Sequence, residues 1–120
     1  MVRALETSLS AVLDSPGVIG AVVADAVSGL GHASVGEHRL LGTAAELAEL
    51  VGLVDDGLRA AGAEGEVESL VVSTTRHHQV VQLIARQGDP LLLATVLDRT
   101  RTNLALAVRQ TADQARELLA

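Results

Sequence analysis

The side chains that could do chemistry in this chain are few, and their spacing suits little of it. There is no cysteine and no lysine; all nine basic residues are arginine. Thiolate nucleophiles, Cys-based zinc sites, Schiff-base or PLP lysines and the lysine of a phosphate-binding P-loop are therefore excluded outright. Four histidines remain. His77 and His78 are adjacent where a strand is expected to begin, so their side chains point to opposite faces and do not make a metal pair. With no carboxylate beside them in sequence, they read as surface residues. His32 and His38 lie six positions apart, which fits neither a helix pair nor a strand pair. Gly29-Leu30-Gly31-His32-Ala33-Ser34 begins like a dinucleotide fingerprint, but Ser34 stands where a third glycine is needed. The segment also runs into a strand instead of opening a helix. Gly31 and Gly36 have P-loop spacing, yet Glu37-His38 follows where Lys-Ser/Thr is required. Asp55-Asp56 reads as the hydrated face of a helix. The sequence thus predicts no catalytic residue, no cofactor and no metal, and the chain is expected not to be an enzyme. One contribution could still act in trans: Arg39 or Arg76, both expected in loops, could offer a guanidinium to a partner's transferring phosphoryl group.

What must position these residues follows from composition. The chain has 120 residues, 48% of them hydrophobic, with no Phe, Trp or Tyr and one Met. A length of this order suits one domain, read as residues 1–120, with a core built from Leu, Val, Ile and Ala. A net charge of −6 and the lack of aromatic stacking platforms argue against a nucleic-acid partner. No apolar run approaches the ~20 residues that span a bilayer. Glu6 and Asp14 interrupt the N-terminal segment where a signal peptide needs an apolar stretch, so membrane insertion is not expected and a cytoplasmic location is.

Periodicity divides the chain into eight elements. Val2, Leu5, Leu9, Val12 and Leu13 recur at helical spacing, predicting a helix over 2–14 that ends at Ser15-Pro16. Pro16-Gly17 and Ser28-Gly29 punctuate an uncharged run, predicting strands over about 19–25 and 31–36. Leu40 to Gly62 reads as one long helix, with Thr43 as N-cap, Glu46 at capping-box spacing and Gly62 at the C-terminal stop. Glu66–Thr75, His78–Arg86 and Leu91–Leu97 are β-rich, and a last helix runs from about Thr100 to the C-terminus. The order is α-β-β-α-β-β-β-α. Runs such as Leu70-Val71-Val72 and Leu91 to Leu97 are apolar on both strand faces and ask for helices on both sides of the sheet.

With that element order, Pro16-Gly17-Val18, Gly20, Val22, Asp25 and Gly29 in the first hairpin resemble a Roadblock/LC7 domain. Ala44-Ala45 in the long helix and Asp98-Arg99 with Asn103-Leu104 before the last helix extend the resemblance over nearly the whole chain. It is to the bacterial stand-alone members, MglB-like or actinobacterial conservon-type. The resemblance implies an α+β fold: a five-stranded antiparallel sheet with the long helix on one face and the terminal helices on the other. It implies homodimers, or heterodimers with a related Roadblock chain, joined through the long helix and the adjacent strand into one continuous sheet. It also implies a regulator or docking platform for a small Ras-like GTPase, in some bacteria alongside a sensor kinase.

The residues leave room for such surfaces. Leu47, Val51, Val54, Leu58 and Ala61 form one helical stripe fit to pack on the sheet. Leu53 lies away from it beside Glu46, Gly57 and Ala60, with Leu50 bridging the two. Leu53 reads either as a single exposed leucine or as part of a second strip for helix-to-helix contact, Gly57 permitting close approach. Glu46, Glu49 and Asp56 are candidate polar contacts for a partner. Leu70-Val71-Val72, with no proline or central charge, makes the third strand a candidate dimer edge. The rival readings are a small-molecule sensor, which the missing aromatics disfavour, and an assembly scaffold without effect on GTP.

Overall fold

The computed structural model describes residues 2–118; Met1, Leu119 and Ala120 lie outside it, and with them the end of the last helix as read from the sequence. Among the described residues the elements are α1 (Val2–Val12), β1 (Val18–Asp25), β2 (Gly31–Gly36), a 3-10 turn (His38–Leu41), α2 (Ala44–Ala60), β3 (Ser69–Ser73), β4 (His77–Ile84), β5 (Leu91–Asp98), a second 3-10 turn (Arg99–Arg101) and α3 (Leu104–Leu118). The strands form one sheet in the order β2-β1-β5-β4-β3, with every neighbouring pair antiparallel.

The central strands explain the composition. β1 and β5 are buried along nearly their whole length, so both of their faces must be apolar, and alternate residues feed two separate cores. Val22, Ala24, Leu92, Ala94 and Val96 meet Leu47 and Val51 of α2 on one face. Ala21, Val23, Leu91 and Leu93 meet Leu9 and Val12 of α1 and Ala115 of α3 on the other. With no aromatic side chain to fill space, the layers close by direct approach. A Cβ on Gly20 would lie 2.7 Å from the backbone carbon of Glu37, so the 3-10 turn sits directly against β1. The buried Thr111 hydroxyl donates to the Ala107 carbonyl (2.8 Å) and accepts from the buried Thr95 hydroxyl (3.3 Å), linking β5 to α3.

Two turns hold the sheet's ends in place. After β1, the Asp25 carboxylate accepts the backbone N–H groups of Ser28 (2.8 Å) and Val27 (2.9 Å) and faces Arg86 at 3.7 Å. Those backbone donors, Ser28 first, hold its carboxyl below the usual carboxylate range. At the opposite end, Arg99 Nη1 donates to the carbonyl of Thr74 (2.8 Å) and the Arg99 amide to that of Arg76 (3.1 Å), fastening the β3–β4 turn to the segment after β5.

Three expectations are corrected. The long helix starts at Ala44, not Leu40: Gly42, at φ +82°, breaks the run and leaves His38–Leu41 as a separate 3-10 turn. The third strand is Ser69–Ser73, shorter than Glu66–Thr75. The sheet-facing stripe of α2 is covered only in its first half. Leu47 and Val51 are buried and Val54 is half-buried, whereas Leu58 is 46% exposed and Ala61 is exposed.

Candidate interaction surface

α2 carries most of the residues that could meet a partner, and its two ends are firmly set. The Thr43 hydroxyl accepts the Glu46 amide (3.1 Å) while the Glu46 carboxylate accepts the Thr43 amide (2.9 Å), the reciprocal capping box expected from the spacing. The Thr43 donors draw the Glu46 carboxyl below its usual range. Glu46 is thereby spent on the cap and is a poor candidate for a partner contact. At the other end the Gly62 amide bonds the Arg59 carbonyl and the Ala63 amide the Leu58 carbonyl, a Schellman closure with Gly62 in the left-handed region.

Between these ends the helix presents two unequal faces. At 100° per residue, Glu46, Glu49, Leu50, Leu53, Asp56 and Gly57 fall on the side away from the sheet. Leu53 is 73% exposed there, and a Cβ on Gly57 would meet nothing within 4 Å. A salt bridge from Arg59 to Asp55 (3.2 Å) flanks the strip. The outer face therefore holds one large apolar side chain, a half-buried Leu50 and a bare backbone position in a row.

The candidate strand lies at the sheet's edge, with nothing described beyond it. Its three apolar residues do not share one face. Leu70 packs with the α2-side core, and Val72 points the same way but is 39% exposed; Val71 faces the α1/α3 side and is 42% exposed. The six helix candidates thus form one strip, and the three strand candidates straddle both faces of an open edge.

Sequence spacing missed three arrangements. His78 is not a surface residue: it is 7% exposed, with Nδ1 2.6 Å from the Ser73 hydroxyl, its cross-strand partner. Sequence offers no sign of this, because the register that brings Ser73 opposite His78 is a property of the hairpin. His77 sits opposite Asp98 on β5, so a carboxylate is near in space although absent in sequence. His32 and His38 converge as well. Together with Ser34, Arg39, Thr43 and Glu46 they line an open groove of about 620 Å³ between β2, the 3-10 turn and the start of α2. Arg39 therefore lies on a helical turn beside this groove; Arg76 lies in the β3–β4 turn as expected. Among the described residues no three His, Asp or Glu side chains are placed to hold a metal ion. No described helix is long and apolar enough to cross a membrane.

No family model matches this chain, and no curated protein does. Solved structures do. Myxococcus xanthus MglB aligns with a TM-score of 0.78 at 11% identity, covering 99% of this chain and 90% of that one. A Roadblock/LC7 domain from Streptomyces avermitilis aligns at 0.77 and 18% identity, covering 95% and 93%. An MglB described as having a tetrameric arrangement aligns at 0.64 and 21% identity, covering 97% and 90%. The chain has the Roadblock/LC7 fold, with the α+β order and helix placement that the sequence resemblance implied.

Proposed function

We propose that this chain, built on the Roadblock/LC7 fold, is a self-associating platform that binds a small Ras-like GTPase and modulates its nucleotide state or location. The observation that carries the reading is the incomplete cover of α2 and β3. Leu53 stands out from one side of the helix, Leu58 is uncovered on the other, and Val71 and Val72 are open on both faces of an unguarded edge. Apolar surface arranged this way, continuous with an unpaired ladder, is what a protein partner buries. The tetrameric arrangement described for one solved MglB supports self-association as the first use of that surface. The partner class comes from the family resemblance. Glu49, Leu50, Leu53, Asp56 and Gly57 are the α2 contacts, divided between the second copy and the GTPase, while Leu70, Val71 and Val72 serve the edge. On this reading any effect on GTP works by reshaping the GTPase's own site, or through a guanidinium offered in trans by Arg39 or Arg76. Co-elution with the cognate GTPase and single-turnover GTP hydrolysis test this; neither a complex nor a rate change would sink the regulatory claim.

One observation favours a second reading, a small-molecule sensor. The groove lined by His32, Ser34, His38 and Arg39 has the volume of an ordinary ligand site and brings several polar side chains together with the apolar Val22 and Ala33 in its lining. A thermal-shift screen with small anionic and neutral metabolites separates the two: a saturable rise in Tm that His38→Ala abolishes supports the sensor.

A further inference from the structure

Four polar side chains of the groove beside β2 have no partner inside the fold. Among the described residues the ion pairs are Arg59–Asp55, Arg86–Asp25 and Arg116–Asp113, and neither an ion pair nor a side-chain hydrogen bond engages His32, Ser34, His38 or Arg39. All four nevertheless line one open groove. The path of the chain explains why it stays open. From Gly36 the chain crosses β1 closely, as the approach of Glu37 and His38 to Gly20 shows, and Gly42 then turns it before α2 begins. The 3-10 turn and the first turn of α2 therefore wall the α2-side face of β2 without covering it, and His32 and Ser34 remain exposed there.

Strand register adds two further donors. The Glu37 amide bonds the Ile19 carbonyl, and pairing alternates along an antiparallel ladder, so Val35 bonds Ala21 while Ser34 and Val22 face each other without bonding. The Ser34 N–H therefore points to the open side of the edge strand, and its hydroxyl shares the α2 side with Val22. The register shifts at Val23 and Ala24, which pair with Ala33 and Gly31; His32 is left as the extra residue of a β-bulge, a device that re-aims a side chain. Glu46 is the one carboxylate in the lining, and it is turned to the helix cap, where it accepts the Thr43 amide. The apolar side chains of the lining are one valine and two alanines, so apolar contact supplies little binding energy, and charge and hydrogen bonds must supply the rest.

We infer that this groove is a site for a small soluble oxyanion carrying at least two negative charges, a phosphorylated or polycarboxylate compound, held by Arg39 together with His32, His38 and Ser34. The inference rests on the sensor reading of the same groove and adds the class of ligand and the residues that select it. The planar guanidinium of Arg39 presents paired donors that match two oxygens of a phosphate or carboxylate. The imidazoles add N–H donors, and an anion beside them favours their charged form. Long-range attraction does not draw an anion to a chain of net charge −6, so selectivity comes from these contacts. With no aromatic side chain to stack a base, the oxyanion is the recognised group, not a nucleobase.

Calorimetric titration of the full chain with sodium pyrophosphate and with citrate, at constant ionic strength, tests it, with maltose as the neutral probe. One or both anions are expected to bind saturably at one site per chain. Arg39→Gln should weaken that binding by on the order of tenfold, as should His32→Gln with His38→Gln. Arg76→Gln, which removes an exposed arginine in the β3–β4 turn, should leave it unchanged. The unliganded Tm of each variant should match the parent, because none of the replaced side chains bonds within the fold. Pyrophosphate binding alone assigns the site to phosphoryl groups and citrate binding alone to carboxylates; either supports the inference. Anion binding that Arg39→Gln leaves intact overturns the site. If neither anion binds, the ligand class is wrong: maltose, or a neutral hit from the thermal-shift screen, whose binding His38→Ala abolishes would then leave the sensor reading standing. No response to any of them overturns both.

Discussion

Replacing Gly57 by alanine should move two measurable quantities in opposite directions. Glycine in a helix interior costs about 0.8–1 kcal/mol relative to alanine, through backbone entropy and exposed peptide groups. That gain is normally offset when the new methyl collides with a neighbour. Here the Cβ would meet nothing within 4 Å, so Gly57→Ala should stabilise the isolated chain by close to the full amount. For a chain of this size that corresponds to a rise in Tm of about 3–6 °C. The dimer should respond the other way. If Gly57 lets two α2 helices approach, a methyl there overpacks the contact, and penalties of about 1–3 kcal/mol correspond to association weaker by roughly 5- to 150-fold. Gly52→Ala is the control: it is equally unobstructed, but it lies off the outer strip, so it should raise stability and leave association alone. Urea denaturation at nanomolar concentration isolates the monomer term, and sedimentation velocity at micromolar concentration reads the other. A Gly57→Ala chain that gains stability and associates as tightly as the parent would remove Gly57 from the interface. One that loses stability as a monomer would refute the packing argument itself.

Three further outcomes are expected. Leu53→Glu should weaken self-association by at least tenfold while shifting monomer stability by less than about 0.5 kcal/mol, since the side chain is largely in solvent; equal losses in both would mark Leu53 as structural. Gly20→Ala should cost about 1–3 kcal/mol in urea denaturation, because its Cβ would press on the backbone of Glu37 and His38, which cannot yield as a flexible side chain would; a neutral result would show that the 3-10 turn is loosely seated. The folded-state pKa values of Asp25, Glu46 and Asp98 are all lowered by hydrogen bonds from neighbouring residues. Each therefore contributes stability that is present above its unfolded pKa near ~4 and lost as pH falls through the lower folded value. Urea midpoints should be flat from pH 7 to about 5 and drop below about 4, with Asp25→Asn showing a shallower drop; identical slopes for parent and variant would contradict the assignment.

Much of the fold was legible because its cues are local. Pro16-Gly17 and Ser28-Gly29 bracket β1 as read, and Thr43 with Glu46 make the capping box that their spacing announced. Where the reading failed, the deciding interaction was non-local or lay in a single backbone angle. Leu40 and Leu41 carry helical spacing, yet Gly42 turns the chain out of register just before Thr43. The α2 stripe was correctly placed on the sheet side, but helical period says nothing about how far the platform beneath it extends, so the exposure of Leu58 could not be foreseen. His78 and the His32–His38 groove depend on strand register and chain reversal, which bring together residues that spacing keeps apart. The candidate strip itself was visible for a simple reason: an apolar residue on the wrong side of an amphipathic helix needs no tertiary information to be noticed.

The strand order has a consequence for valency. β2 and β3 occupy opposite edges of the sheet, so a dimer joined at β3 would carry its two β2 grooves at the far rims. Nine strand-to-strand gaps at about 4.8 Å would separate them by roughly 43 Å. The two grooves could then be filled independently, without competition from the dimer contact. A ligand tethered in pairs at matching separation would bind with avidity that neither groove has alone, and a monomerising variant such as Leu53→Glu would lose that gain while keeping each groove whole.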